Sequence, residues 1–351
     1  MTDPGTEPIA DLPKQIFRVR APADLIEAVP YLLGFHPRQS LVVVGLDDKR
    51  VVVTARSDLS AIDTDPSALP ATVRAVAHGG ATSVVGVIYE DDDVRHGSDS
   101  LPRRAMVAEL RELAEKVGAD LVDALLVSSG RWWSYVCADE RCCPAKGRPL
   151  AGKASLAAAT ATYAGLVALP DRADLAAQLA SDDDEARWAM LPELDAAEDR
   201  AVQAVLYGHG ARHERSLKRA IFAAAREVDS TLFLAPGAGR ISDPDVARYA
   251  TGLAETAIRD AVWLAIDQGR LNGRPLWRDL ARRVPPPYDA PPLFLFGWAE
   301  WRSGNGPLAG MAAERALASD PTYTAADLLL GALTHGLDPR RTPRLRMPKS
   351  A

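Results

Sequence analysis

The chain has 351 residues, of which 47% are hydrophobic and 25% charged, with a formal net charge of −6; such a composition excludes disorder as the default and allows a sizeable buried core. The acidic balance argues against a broad nucleic-acid-binding surface, which needs a concentrated basic face. The acidic stretch Met1–Pro8 lacks the basic and apolar regions of a secretory signal and no apolar run approaches a membrane span, so a cytoplasmic chain with no membrane partner is expected.

Ile16–Arg20 reads as a short strand, and Asp24 as the cap of a helix running through Leu33, with Pro22 just outside it and Gly34 ending it. Ser40–Leu46 and Val51–Arg56 flank the polar Asp47–Arg50, which predicts a hairpin whose first strand is buried on both faces. A helix near residues 67–78 leads to a second buried strand, Thr82–Tyr89, which stops at Glu90–Asp93. Arg103–Val117 is amphipathic and closed by Gly118, and Leu121–Ser128 is the strand after it. Gly130 turns the chain into Trp132–Cys137, where alternation places Trp133, Tyr135 and Cys137 on one face and Trp132, Ser134 and Val136 on the other.

Beyond Ser155 strand patterns give way to alanine-rich helical periodicity, clearest at Val202–Tyr207, Leu217–Val228 and Ile258–Ile266. The fold class is therefore α/β, a layered mixed-sheet N-terminal half followed by an all-helical C-terminal half. Domain limits fall at residues 15–168 and 169–337, with 1–14 and 338–351 expected to be disordered tails. Gly297, Gly304, Ala309, Ala316 and Pro321 match one tetratricopeptide-type helical hairpin over residues 290–323. One period upstream stand Trp263 and Pro275, which break the pattern, so this single unit must pack on neighbouring helices.

All three cysteines, Cys137, Cys142 and Cys143, fall within one short segment beside Trp132, Trp133 and Tyr135. In a reducing compartment they read as thiols or zinc ligands rather than a disulfide framework. Zinc wants four tetrahedral ligands, and adjacent residues in an extended segment face opposite ways, so Cys142 and Cys143 would struggle to grip one ion; sulfur packing in a turn ended by Pro144 and Gly147 is the plainer alternative. Further ligands would have to come from His36, His78 or His96. A cysteine nucleophile needs a cation or base, and Arg131, Arg141, Lys146 and Arg148 supply positive potential without a nearby histidine.

The second constellation is the bend Leu33-Gly-Phe-His36-Pro-Arg38-Gln-Ser40, between a helix and a buried strand. His36 could serve as acid or base, with Arg38 and Ser40 holding an anion, or the same groups could cap chain ends. Trp133 and Tyr135 join them as candidate ligand-binding side chains. Gly147–Ser155 imitates a phosphate-binding loop, but Ala154 stands where a magnesium-binding hydroxyl is needed and Pro149 lacks a cradling N–H. His209 and His213 lie four apart and show no third ligand.

Pro30-Tyr-Leu-Leu-Gly-Phe-His-Pro37, Ser40-Leu-Val-Val-Val-Gly45, Trp133-Ser-Tyr135 with Cys137 and Cys142-Cys-Pro144, and the stretch from Gly304-Asn-Gly306 to Asp320-Pro-Thr-Tyr323 resemble an actinobacterial family described as a domain of unknown function. The resemblance covers most of residues 15–337 and implies a cytoplasmic bacterial protein without implying a reaction. Three readings follow from the residues. One is a binding or regulatory protein for a small molecule or a protein partner, one a hydrolase or transferase using His36 with Cys137 or Ser134, and one a zinc-stabilised scaffold through Cys137, Cys142 and Cys143.

Overall fold

A computed structural model describes residues 21–48, 50–90, 101–150, 156–163, 166–181, 183–231 and 241–346. The expected strand at Ile16–Arg20, the tail 1–14, Asp91–Asp93 and Lys153–Ser155 lie outside them. The chain divides into two units: one takes the described residues up to Leu175 together with Ala332–Arg341, and the other takes Ala176–Gly331 and the described residues from Thr342.

The first unit opens with α1 (Pro22–Leu33). Pro22 stands inside its first turn rather than outside it, where a missing N–H costs nothing because no intrahelical acceptor exists there. Asp24 is correspondingly not the cap; its carboxylate reaches back to accept the Ala21 N–H at 3.0 Å. Gly34 ends the helix at φ +79°.

The hairpin follows as β1 (Ser40–Asp47) and β2 (Arg50–Asp58). After α2 (Leu59–Thr64) and α3 (Ala68–His78) come β3 (Ser83–Tyr89), α4 (Arg104–Lys116), β4 (Asp120–Ser128), β5 (Arg131–Ser134) and the two-residue β6 (Arg148–Pro149). They make one mixed sheet in the order β2-β1-β3-β4-β5-β6, antiparallel except for the β3–β4 pair, which α4 connects. A residue inserted at Val122 breaks the β3–β4 register, so Leu121 and Ala124 both face the core.

Leu41, Val43 and Ile88 on one sheet face join Val73 and Val76 of α3 and Leu110 of α4 in a single apolar cluster. On the other face the Tyr89 hydroxyl donates to the Ile26 carbonyl of α1 at 3.4 Å. With β1 covered on both sides, its near-continuous apolar run follows from burial. α5 (Leu156–Tyr163) completes the unit's helices, and α6 (Arg172–Ala177) ends at its boundary. Ala332–Arg341 also belongs here: Gly336 lies so close to Ala75 that a Cβ would sit 1.8 Å from its carbonyl oxygen, and the His335 ring stacks on His78 at 6.3 Å.

Among its described residues, the regular elements of the second unit are all helices. Its elements are α7 (Asp184–Trp188), α8 (Leu191–Leu206), α9 (Gly210–Thr231), α10 (Asp243–Ala254), α11 (Thr256–Asp267), α12 (Arg274–Arg283), α13 (Ala290–Arg302), α14 (Gly306–Ser319) and α15 (Thr324–Thr334), the last running on past Gly331 into the first unit's residues. α13 and α14 form the hairpin over residues 290–323, where a Cβ on Gly297 would meet the Ala309 carbonyl and the Ala312 methyl at 3.2 Å. Every residue of α13 from Ala290 to Trp301 is buried, and Trp263 of α11 packs edge-on against Phe294 and Trp298, each at 5.0 Å.

The segment expected to fray beyond residue 338 is held by hydrogen bonds through Leu345. Fully buried Asp267 accepts the Trp298 indole N–H at 3.0 Å and the Leu345 N–H at 2.6 Å, and pairs with Arg302 at 2.5 Å. Arg302 also donates to the carbonyls of Thr342 and Pro343 at 3.0 and 3.2 Å. A buried carboxylate needs several donors, and this tail supplies one of them from its backbone. No helix among the described residues is long and apolar enough to cross a membrane.

Candidate functional site

β5 stops at Ser134, three residues earlier than alternation predicts, because the Ser134 side chain turns the chain. Its hydroxyl donates to Asp123 Oδ1 at 2.7 Å and accepts the N–H groups of Val136 and Cys137 at 3.1 and 2.9 Å. The hydroxyl expected as a nucleophile is thus fully engaged in shaping a turn.

The loop that follows closes on Asp139, whose carbonyl accepts from both Cys142 and Cys143 at 2.9 and 2.7 Å while its carboxylate accepts the Arg141 N–H at 2.9 Å. Cys142 and Cys143 consequently sit in a tight turn instead of an extended segment, and the expectation that they diverge is corrected. The sulfurs of Cys137, Cys142 and Cys143 lie within 4.8 Å of one another, and all three are free thiols.

The loop is clamped from the sheet. Arg131 donates to the carbonyls of Lys146 and Gly147 at 2.7 and 2.8 Å, Arg148 to those of Cys142 and Arg141, and the Trp133 indole to Ala145 at 3.0 Å. Gly147 adopts φ +70°, and a Cβ there would lie 2.4 Å from the Trp133 ring. The Tyr135 hydroxyl donates to the Pro102 carbonyl at 2.7 Å, so both aromatics expected at a ligand tie chain segments together.

Hydrogen bonding from the Cys143 thiol, then from the Asp139 N–H, holds Cys137 below the ordinary thiol value. Burial, reinforced by the two neighbouring thiols, pushes Cys143 up to about 12. Two thiols of opposite tendency share one proton-crowded spot, and a divalent cation would relieve it by replacing protons as their common counter-charge. Tetrahedral zinc with bonds of about 2.3 Å wants sulfurs about 3.8 Å apart, a contraction of no more than about 1 Å here. The three cysteines can hold a metal ion. Among the described residues no third ligand joins His209 and His213.

The His36 bend lies elsewhere on the sheet. The Gly34–His36 backbone exchanges hydrogen bonds with Leu169: His36 N–H donates to its carbonyl at 2.9 Å, and its N–H donates to Gly34 at 2.8 Å. An open cleft of about 240 Å³ results, lined by Phe35, His36, Arg38, Arg56, Asp171, Arg172 and Ala173. Ser40, buried at the start of β1, does not line it, and its hydroxyl has no hydrogen-bond partner among the described residues.

His36 precedes β1, whereas Ser134 ends β5, three strands across the sheet and thus about 14 Å away laterally. Ser40 aligns through Tyr89 and Val127 with Trp132, and Ser134 sits two rows deeper, opposite Leu125. The Asp139 turn brings the cysteines together, whereas the strand order sets the start of β1 three strands away from Ser134. Arg56 and Arg172 escaped the sequence reading of the cleft because they are distant from His36 in the chain. Asp139, two residues before Arg141, was the local signal for the turn that gathers the thiols.

A family model described as Domain of unknown function (DUF4192) matches residues 22–340. No curated protein and no solved structure matches the chain.

Proposed function

We propose that this chain, which belongs to the family Domain of unknown function (DUF4192), is a binding protein whose sheet unit takes a thiophilic divalent cation, zinc first, on Cys137, Cys142 and Cys143. One observation carries the reading: three free sulfurs converge within 4.8 Å on a loop clamped by Arg131, Trp133 and Arg148. Soft thiolates select zinc over magnesium or calcium.

Three protein ligands leave a tetrahedral ion one position for water or for a group brought by a partner, as in sites that exchange ligands rather than sealed structural ones. Exposure of Cys142 supports a fourth position that solvent or a partner can reach. A regulatory role follows from this geometry, since metal binding would fix the loop after β5 and present an exchangeable coordination site.

Metal analysis of protein purified under reducing conditions tests the proposal. Close to one zinc per chain is expected, falling below about 0.1 in a Cys137→Ala/Cys142→Ala double variant that keeps its helical circular dichroism. Folded wild-type protein that contains no metal and takes up none when titrated with zinc overturns it. A wild-type mass lower by two hydrogens under those conditions also overturns it, in favour of a redox pair.

A further inference from the structure

The cleft beside the His36 bend has a chemistry of its own, independent of the thiols. Its seven lining residues include three arginines, Arg38, Arg56 and Arg172, and one carboxylate, Asp171. The lining is net positive on a chain whose total is −6, even with Asp58 counted as the ion-pair partner of Arg56. Asp171 already engages one carboxylate oxygen with the Asp174 N–H at 2.9 Å, a local cap rather than a counter-ion for the cleft.

Arg56 is held in place from two sides. Its guanidinium lies over the buried Phe35 ring at 5.6 Å and pairs with Asp58 at 2.5 Å, and its side chain is only 14% exposed. Its Nε is buried with no acceptor among the described residues. The hydroxyl of Ser40, on the same sheet face and opposite Asp58, is likewise buried and without a partner. Buried polar atoms are satisfied in the great majority of cases, so the orphaned Nε of Arg56, a residue that lines the cleft, points to a missing polar ligand. Arg38 is exposed at the mouth, with no ion pair among the described residues.

We infer that this cleft binds a phosphate dianion, either inorganic phosphate or the phosphate of a small phosphomonoester. Charge and size select that class. With Asp58 paired to Arg56 the lining stays net positive, and its three planar guanidinium forks recognise the several oxygens of a phosphate in pairs where a monocarboxylate offers only two. A volume of about 240 Å³ equals that of roughly eight liquid waters. That is below the ~300–1,000 Å³ of drug-sized sites, so a phosphate and a few further heavy atoms fill it. The order of contact follows from exposure: Arg38 meets the anion first, and the pre-positioned Arg56 receives it at the base.

Calorimetric titration of the full chain in an amine-sulfonate buffer tests this, with inorganic phosphate, glycerol 3-phosphate and acetate as separate titrants. Saturable one-site binding of phosphate or of the monoester is expected, weakened at least tenfold by Arg38→Ala, an exposed position whose loss leaves the fold intact. Arg56→Lys keeps the charge but loses the fork and is expected to weaken binding by a similar factor. Tighter binding of the monoester identifies a phosphorylated metabolite, and equal binding identifies free phosphate. No saturable binding of either, equal binding of acetate, or affinity unchanged in both Arg38→Ala and Arg56→Lys overturns the inference. The Cys137→Ala/Cys142→Ala variant must bind phosphate like wild type, which separates failure here from failure of the metal reading.

Discussion

Gly147, Asp123 and the paired thiols show how single atoms shape the loop after β5. Adding a methyl at Gly147 forces a residue into φ +70° and against the Trp133 ring at once. Gly147→Ala is therefore expected to cost about 1–3 kcal/mol in urea unfolding and to weaken zinc uptake in parallel. Asp123 is the acceptor for Ser134 and for the Ala124 N–H, yet burial raises its pKa above 3.8 despite both bonds. A carboxyl with a raised folded-state pKa makes stability fall as pH climbs from near 3.8 through the folded value, because the unfolded chain releases its proton first. Asp123→Asn keeps an oxygen acceptor for both donors and should flatten that part of the stability–pH curve, with stability at pH 7 equal to or above wild type. Among the thiols, Cys137 lies below its ordinary value and Cys143 far above, so iodoacetamide at pH 7.5 should label Cys137 several-fold faster by peptide mass spectrometry, and zinc should suppress that labelling.

Elements differed in how openly the sequence announced them. β1 and β3 were legible because strands buried on both faces must be nearly all apolar, and α4 because one stripe of Met106, Val107, Leu110 and Ala114 faces the sheet. β5 was overextended in the reading, since periodicity carries no mark of the Ser134 hydroxyl that ends it. The thiol cluster was visible as a crowding of cysteines, but its convergence depended on a turn centred on Asp139. The cleft was visible only at His36 and Arg38, because Arg56 arrives from β2 and Arg172 from the start of α6, and no local pattern links them. α11 and α13 are joined through Asp267, whose removal takes the carboxylate partner from the half-buried Arg302 guanidinium and the acceptor from the buried Trp298 indole. Asp267→Ala should cost about 3–5 kcal/mol by denaturant titration, and Asp267→Asn less.

For the whole molecule, the α/β-then-helical order was readable from composition and periodicity, but the path of the last residues was not. Prolines and arginines suggested a frayed end, and the partners that hold it, Ala75, His78 and Asp267, are far back in the chain. Each unit takes a share of this end: Ala332–Arg341 for one and the described residues from Thr342 for the other. A chain ended after Gly331 is therefore expected to unfold at lower temperature in both units by calorimetry. Ending it after Arg341 should lower only the transition of the helical unit.

The interrupted composition of the sheet unit also sets a timetable during synthesis. Its strands leave the ribosome early, but Gly336 and His335 emerge only after the entire stretch Ala176–Gly331 has been translated. At about 5–20 residues per second the nascent sheet waits roughly 8–30 s for the segment that covers α3. Throughout that interval the back of α3 is open to chaperones, and the arrival of His335 and Gly336 is the event that closes it.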